Sequence, residues 1–156
     1  MPTSEGTTVP ERQKLPGERA SIDRRFKIVQ WEDDPAEPGK KVMTELKLYI
    51  IVGMYDDTRL GEIFIRAEKM NGFISGILDA MATTISIALQ HGVPLRTLTE
   101  KYRGARFPPA QAFGLDDKEF KSCSSPMDLI AQWLDLRFPD GKLSLERGPE
   151  VAKTGT

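Results

Sequence analysis

The chain has a single histidine and a single cysteine in 156 residues. That excludes an internal disulfide and a thiolate metal cage built within one chain. Catalysis needs a convergent set of acids, bases, nucleophiles or metal ligands. The sequence offers no paired carboxylates at a useful spacing, no triad pattern and no histidine–cysteine cluster, so no catalytic residue, metal site or bound cofactor is expected. An excess of charge of one sign is also lacking. With 22 basic and 23 acidic residues the net charge is −1, and no global field draws the chain to long nucleic acid or to a membrane surface. No uninterrupted apolar run reaches the ~18 residues of a membrane span. The opening stretch MPTSEGTTVPERQKLPGERA contains no apolar h-region, so it does not read as a secretory leader. A cytoplasmic setting fits this set of absences.

What is present is enough for one domain. Residues 1–22 are rich in Pro, Gly, Thr, Glu and Arg, and are expected to form a disordered arm, dispensable for folding. Residues 139–156 resemble them and are expected to be a flexible tail, in which Leu143 and Leu145 could make one short strand contact. The folded unit is then 23–138. Arg24 to Trp31 alternates as a strand, with Phe26, Ile28 and Gln30 on one face. Thr44 to Tyr55 is a second strand, its inner face Leu46, Leu48, Ile50 and Val52. Gly61 to Glu68 is a third, pairing with the second as an antiparallel hairpin. A helix is expected from an N-cap at Ser75 to Gln90, with Leu78, Met81, Ile85, Ala88 and Leu89 as its buried stripe. Gly92 stops it, and Pro94 suits the first turn of a short helix, Leu95 to Tyr102. A long loop, Arg103 to Lys121, precedes a last helix that starts at Ser125-Pro126-Met127-Asp128 and buries Leu129, Ile130, Trp133, Leu134 and Phe138. This order predicts an α+β fold: a small antiparallel sheet of three or more strands with about three helices on one face.

The candidate ligand-binding residues fall in two places. Asn71, Phe73 and Ser75 precede or open the main helix, whose free N–H groups suit phosphate, while Phe73 could stack on a base. Arg103 and Arg106 lie in KYRGARF, where a guanidinium fork would take a phosphate. Ordinary turn, cap and helix-end chemistry accounts for the same residues. Asp79, inside a helix of small and apolar residues, is expected to face a neighbouring chain or a basic group such as Arg106. His91 reads as a helix-end histidine and Cys123 as a small loop thiol. The helix is apolar or small around most of its circumference, which predicts a homo-oligomer.

The strings GEIFI, ISGILDAMATTISIALQHGVPL, ARFPPA and SPMDLIAQWLDLRF, spanning about Phe26 to Phe138, resemble the TSCPD domain. That domain is found near the C-terminus of adenosylcobalamin-dependent (class II) ribonucleotide reductases and in small stand-alone relatives. The resemblance implies a non-catalytic accessory domain or subunit of such a reductase, with a catalytic subunit as partner and a nucleotide as ligand. The catalytic barrel and the C-terminal cysteine pair of those enzymes have no counterpart here. The alternative is a stand-alone protein, of the kind a phage or prophage would carry, that binds and sequesters a signalling nucleotide.

Overall fold

In the computed structural model, residues 8–68, 72–110 and 119–144 are described. Asn71, Leu145, the middle of the 103–121 loop and the ends of the expected arm and tail lie outside them. Three strands, β1 (Ser21–Asp33), β2 (Lys41–Met54) and β3 (Leu60–Ala67), form one antiparallel sheet in the order β1-β2-β3. Helices α1 (Gly72–Gln90), α2 (Leu95–Tyr102) and α3 (Pro126–Arg137) follow, and a 3₁₀ turn, Pro139–Gly141, closes the described chain. This is the α+β architecture expected from the sequence.

Alternation decides which face of the sheet is dry. Phe26 and Ile28 of β1, Leu46, Leu48, Ile50 and Val52 of β2, and Ile63 and Ile65 of β3 are all buried. Their odd- or even-numbered neighbours, among them Lys27, Lys47, Phe64 and Arg66, face solvent. An antiparallel sheet can present one wet face in this way. The register pairs Phe26 with Leu48 and Ile50 with Ile65 across the strands. β1 and β2 stay paired from Ser21↔Gly53 to Asp33↔Lys41, whereas β3 ends at the Leu48↔Ala67 pair, so a two-stranded ribbon projects beyond it.

The helices divide the work of covering the dry face. α3 places Trp133 edge-on to Phe26, with ring centroids 6.5 Å apart, and Phe138 edge-on to Trp133 at 6.4 Å. Phe120 meets Phe26 from the other side at 5.7 Å. Such geometries suit the ring quadrupoles. α1 runs back antiparallel to β3 and seals its free edge. Ser86 Oγ accepts from Ile63 N–H at 2.9 Å and has Ala82 C=O at 2.8 Å and Ile63 C=O at 3.2 Å as acceptors for its one proton, and Gln90 Nε2 donates to Gly61 C=O at 3.0 Å. An uncovered edge would leave these groups open to another chain. α1 begins at Gly72, three residues before the expected N-cap, so Ser75 lies within its first turn. Its buried residues are Ala82, Ile85, Leu89 and Gln90, with Leu78 and Met81 half-buried against the core. It ends in a Schellman motif: Val93 N–H donates to Ala88 C=O and Gly92 N–H to Leu89 C=O, with Gly92 at φ 85. α1 corrects one expectation: over its full length it is long and apolar enough to cross a membrane. Its glycines, serines and threonines interrupt any run of large apolar residues without adding charge.

Residues 8–20, part of the expected arm, lie against the domain. Gln13 N–H donates to Gln90 C=O at 2.9 Å, Arg12 Nε to Gln90 Oε1 at 2.6 Å, and Tyr55 donates its hydroxyl to the Gln13 carbonyl. His91 Nδ1 stands 2.8 Å from the Pro10 carbonyl oxygen. Leu15 rests on Gly61, where even a Cβ would come within 2.8 Å of Leu15 Cδ2 and of Tyr55 Cε2. One apolar anchor and several backbone hydrogen bonds make up for the arm's poor apolar content. At the other end Lys142 bridges to Arg59, and Leu143 N–H donates to Thr58 C=O at 3.1 Å, a strand-like contact.

Ser86→Ala should destabilise the fold by about 1–2 kcal/mol, because it leaves an edge N–H of β3 without its acceptor. Thermal unfolding would then fall by roughly 3–8 °C. Deleting residues 2–19 should also lower the melting temperature by several degrees. Such a fall would count against the expectation that the arm is dispensable, and calorimetry of the two variants beside the wild type checks both.

Candidate functional site

The end of α2 carries the basic loop, and α3 holds it in place. Arg103 caps α2 through its N–H to Thr99 C=O, and Gly104 turns the chain at φ 78. The anchor is Asp128, the fourth residue of Ser125-Pro126-Met127-Asp128. Ser125 Oγ accepts from Asp128 N–H at 3.0 Å, a helix N-cap. The Asp128 carboxylate reaches back out of the helix. It accepts from Gly104 N–H at 2.8 Å, Ser124 N–H at 3.1 Å and Gln132 Nε2 at 2.8 Å. Burial would raise its pKa, but these hydrogen bonds, led by Gly104 and Ser124, outweigh it and hold the carboxyl below its usual 3.8. Ser124 adds a hydroxyl bond to Ala105 C=O at 2.9 Å and accepts Phe107 N–H on its own carbonyl at 3.2 Å.

The two arginines fare differently. Arg103 is engaged within the chain: Nη1 lies 3.1 Å from Asp135 Oδ2, and Nε lies 3.9 Å from Asp128 Oδ1. Half-exposed pairs of this kind add little stability, yet they offset the charge that Arg103 was expected to offer a ligand. Arg106 is exposed and forms no ion pair or side-chain hydrogen bond with the described residues. It lines a cleft of about 600 Å³ together with Gln30, Phe107, Pro108, Ala110, Ser122, Cys123 and Ser124. Gln30 ties the far rim to β1 by accepting Ala110 N–H at 3.1 Å. Phe107 is 44% exposed beside Arg106, while Cys123 is buried. Cys123 lies in the loop expected of it, with its thiol packed in the core.

The residues picked out on α1 do not join this cleft. Phe73, Ser75 and Asp79 are exposed along the helix, and none of them lines it. Asp79 forms no ion pair among the described residues, with Arg106 or any other base, and Asn71 lies outside the described chain. Of the expected residues that are described, then, Arg106 alone lines the cleft; Arg103 is turned to Asp135 and Asp128, and the α1 set lies apart. Sequence reasoning missed Gln30 and Asp128 as parts of the site. The Ser-x-x-Asp spacing at 125–128 was a visible capping signal, but that its carboxylate would also grip Gly104 was not readable. Among the described residues no group of three or more His, Cys, Asp or Glu side chains is placed to hold a metal.

The described residues form a small antiparallel sheet backed by helices, with a cleft lined in part by Arg106. Residues 27–138 match the TSCPD domain model, and the chain belongs to that family. It is 34% identical over 146 residues to a vitamin B12-dependent ribonucleotide reductase of Rhodopirellula baltica, covering 94% of this chain and 12% of that protein. The reductase of the same name from Streptantibioticus cattleyicolor is 32% identical over 130 residues, 83% of this chain and 19% of its own length. That of Bradyrhizobium diazoefficiens is 32% identical over 128 residues, 82% and 9% respectively. The chain therefore spans a fifth or less of each of these relatives. No solved structure matches it significantly.

The depressed Asp128 pKa has a testable sign. A carboxylate held below its ordinary value stabilises the fold above that value and loses the effect as pH falls through its folded-state pKa. Asp128→Asn should therefore unfold at lower temperature than wild type near neutral pH. The gap should narrow as pH drops from about 5 to about 2. Melting curves of both proteins across that range read the effect.

Proposed function

We propose that this chain is a non-catalytic accessory part of vitamin B12-dependent ribonucleotide reduction, and that it binds a nucleotide at the Arg106 cleft. The supporting observation is that an exposed guanidinium, free of described ion pairs, stands beside a half-exposed phenyl ring at the rim of the cleft, in a domain whose relatives are reductases. In this reading Arg106 takes a phosphate through its planar fork. Phe107 replaces Phe73 as the surface on which the base stacks. Gln30 and the Ser122 and Ser124 hydroxyls supply polar contacts on the far side. Arg103 acts on the loop's conformation through Asp135 and Asp128 and contributes no direct contact. The reaction itself belongs to a catalytic partner.

Calorimetry with nucleoside di-, tri- and cyclic phosphates tests the ligand. A charge-assisted hydrogen bond contributes roughly 1.5–3 kcal/mol, so Arg106→Ala should weaken binding by about tenfold to a hundredfold or more. Arg106→Lys should recover only part, because an ammonium lacks the fork. Equal affinity in wild type and Arg106→Ala removes the cleft as the site. Adding the chain to a vitamin B12-dependent reductase catalytic subunit tests the partner: co-elution and raised turnover support the accessory role. Tight nucleotide binding with no effect on a reductase favours the sequestering alternative.

A further inference from the structure

A second cavity, of about 410 Å³, opens where the β2–β3 turn, the α1–α2 junction and the 3₁₀ turn meet. It shares no lining residue with the Arg106 cleft. Its floor is apolar: Tyr55, Leu60, Leu89 and Leu95 are all buried, and Val93 and Pro94 add to the surface. Gly92 and Gly141 stand in its wall, and a Cβ built on either would meet nothing within 4 Å, so the backbone is open there. Hydrogen bonds preform the walls. Tyr55 N–H donates to Arg59 C=O and Thr58 N–H to Tyr55 C=O, each at 2.9 Å, which closes the β2–β3 turn. The Leu143–Thr58 hydrogen bond holds the end of the chain's 3₁₀ turn beside it. The charged residues that line the cavity are Arg59, Arg96 and Asp140. Arg59 is committed. Its Nε donates to Asp57 Oδ2 at 2.7 Å and its Nη2 to Gln13 Oε1 at 3.0 Å, while its guanidinium carbon lies 4.7 Å from the centroid of the Tyr55 ring. Arg96 and Asp140 are exposed, and neither forms an ion pair or side-chain hydrogen bond among the described residues.

We propose that this cavity binds a small organic monoanion, an apolar body of one or two rings that carries a single carboxylate. The body covers Leu60, Leu89 and Leu95, and the carboxylate takes the Arg96 guanidinium. A concave apolar floor with a few polar groups at its edge is the usual make-up of a small-ligand pocket, and this volume falls in the usual range of roughly 300–1,000 Å³. Two of the three charged lining residues are cations, and a guanidinium fork matches the two oxygens of a carboxylate. Charge then decides which anion fits. With Asp57 bound to Arg59, two arginines stand against two aspartates, so the cavity carries no net charge before a ligand arrives. A polyphosphate would bring several negative charges to it, and Asp140 would repel the excess. A single carboxylate pairs with Arg96 and leaves Asp140 to accept from a hydroxyl or N–H group on the ligand's body. The cavity thus takes a class of molecule different from the nucleotide assigned to the Arg106 cleft. It does not depend on that assignment or on the reductase reading.

Titration of the full, isotope-labelled chain with naphthoate, followed by its amide NMR signals, tests this. The largest shifts should fall at Gly92, Leu95, Arg96 and Gly141 and saturate with a dissociation constant below about 1 mM. Arg96→Ala should weaken binding about tenfold or more, the loss of a charge-assisted hydrogen bond. Arg96→Lys should recover part of it. Arg96 has no partner among the described residues, so both variants should melt with the wild type. Arg106→Ala should bind naphthoate as the wild type does. Naphthylmethylamine, a cation of the same shape, should bind at least about tenfold more weakly than naphthoate. Naphthyl phosphate, a dianion, should also bind more weakly, and Asp140→Asn should narrow that gap. Asparagine tolerates the left-handed backbone of residue 140, at φ 57, so this variant should keep the fold. Unchanged affinity in Arg96→Ala overturns the proposal, as does equal binding of naphthoate and naphthylmethylamine. Shifts confined to the exposed face of α1 or to the tip of the β1–β2 ribbon overturn it too. So does the absence of any shift at about 5 mM naphthoate.

Discussion

The inner face of a three-stranded sheet is too wide for one helix, and covering it governs the rest of the molecule. The contact that fixes the solution is Trp133 against Phe26, continued to Phe120 on one side and Phe138 on the other. It seats α3 over the β1 side and leaves the β3 side to α1. With α3 in place, its N-terminus lies where Asp128 can take hold of Gly104 and Ser124. The cleft adjoins this packing: Ser122, Cys123 and Ser124 on its rim follow directly on Phe120 of the aromatic row.

The two long helices look alike in composition and do opposite things. Both α1 and α3 are apolar over much of their circumference. In α3 this matches burial on nearly every side, including Ala131 and Met127 as well as the large residues. In α1 it does not, because only Ala82, Ile85, Leu89 and Gln90 are buried. A helix that is apolar all round is normally enclosed. α1 breaks that rule while attached to the sheet by two polar side chains, and its outer surface is chemically unfinished in the isolated chain.

Periodicity made most of the fold legible. The alternation in β1 and β2 identified the inner residues Phe26, Ile28, Leu46, Leu48, Ile50 and Val52, and the break between α1 and α2 was read from Gly92 and Pro94. The start of α1 was placed too late, because Ser75 is a good N-cap residue but Gly72 already has helical conformation. The docking of residues 8–20 was illegible for a related reason. It rests on one leucine, on backbone hydrogen bonds and on side-chain contacts such as Arg12–Gln90 and Arg19–Glu62, and none of these leaves a pattern in sequence. The candidate site was half readable. Arg103 and Arg106 stand out as charges around a glycine, but which of them is committed to Asp135 depends on how α3 lies against the loop. Residues from β1, such as Gln30, join the cleft only through the tertiary fold.

The ribbon of β1 and β2 that outruns β3 has a mechanical consequence. Beyond the Leu48↔Ala67 pair the sheet has two strands instead of three, and two-stranded ribbons twist and bend more readily than wider sheets. Trp31, Val42 and Met43 sit exposed near its tip, and Gln30, one residue back, is hydrogen-bonded to Ala110 at the rim of the cleft. Gln30 therefore ties the base of the ribbon to one rim of the cleft, so a twist of the ribbon that displaced Gln30 would be felt at Ala110 through this hydrogen bond.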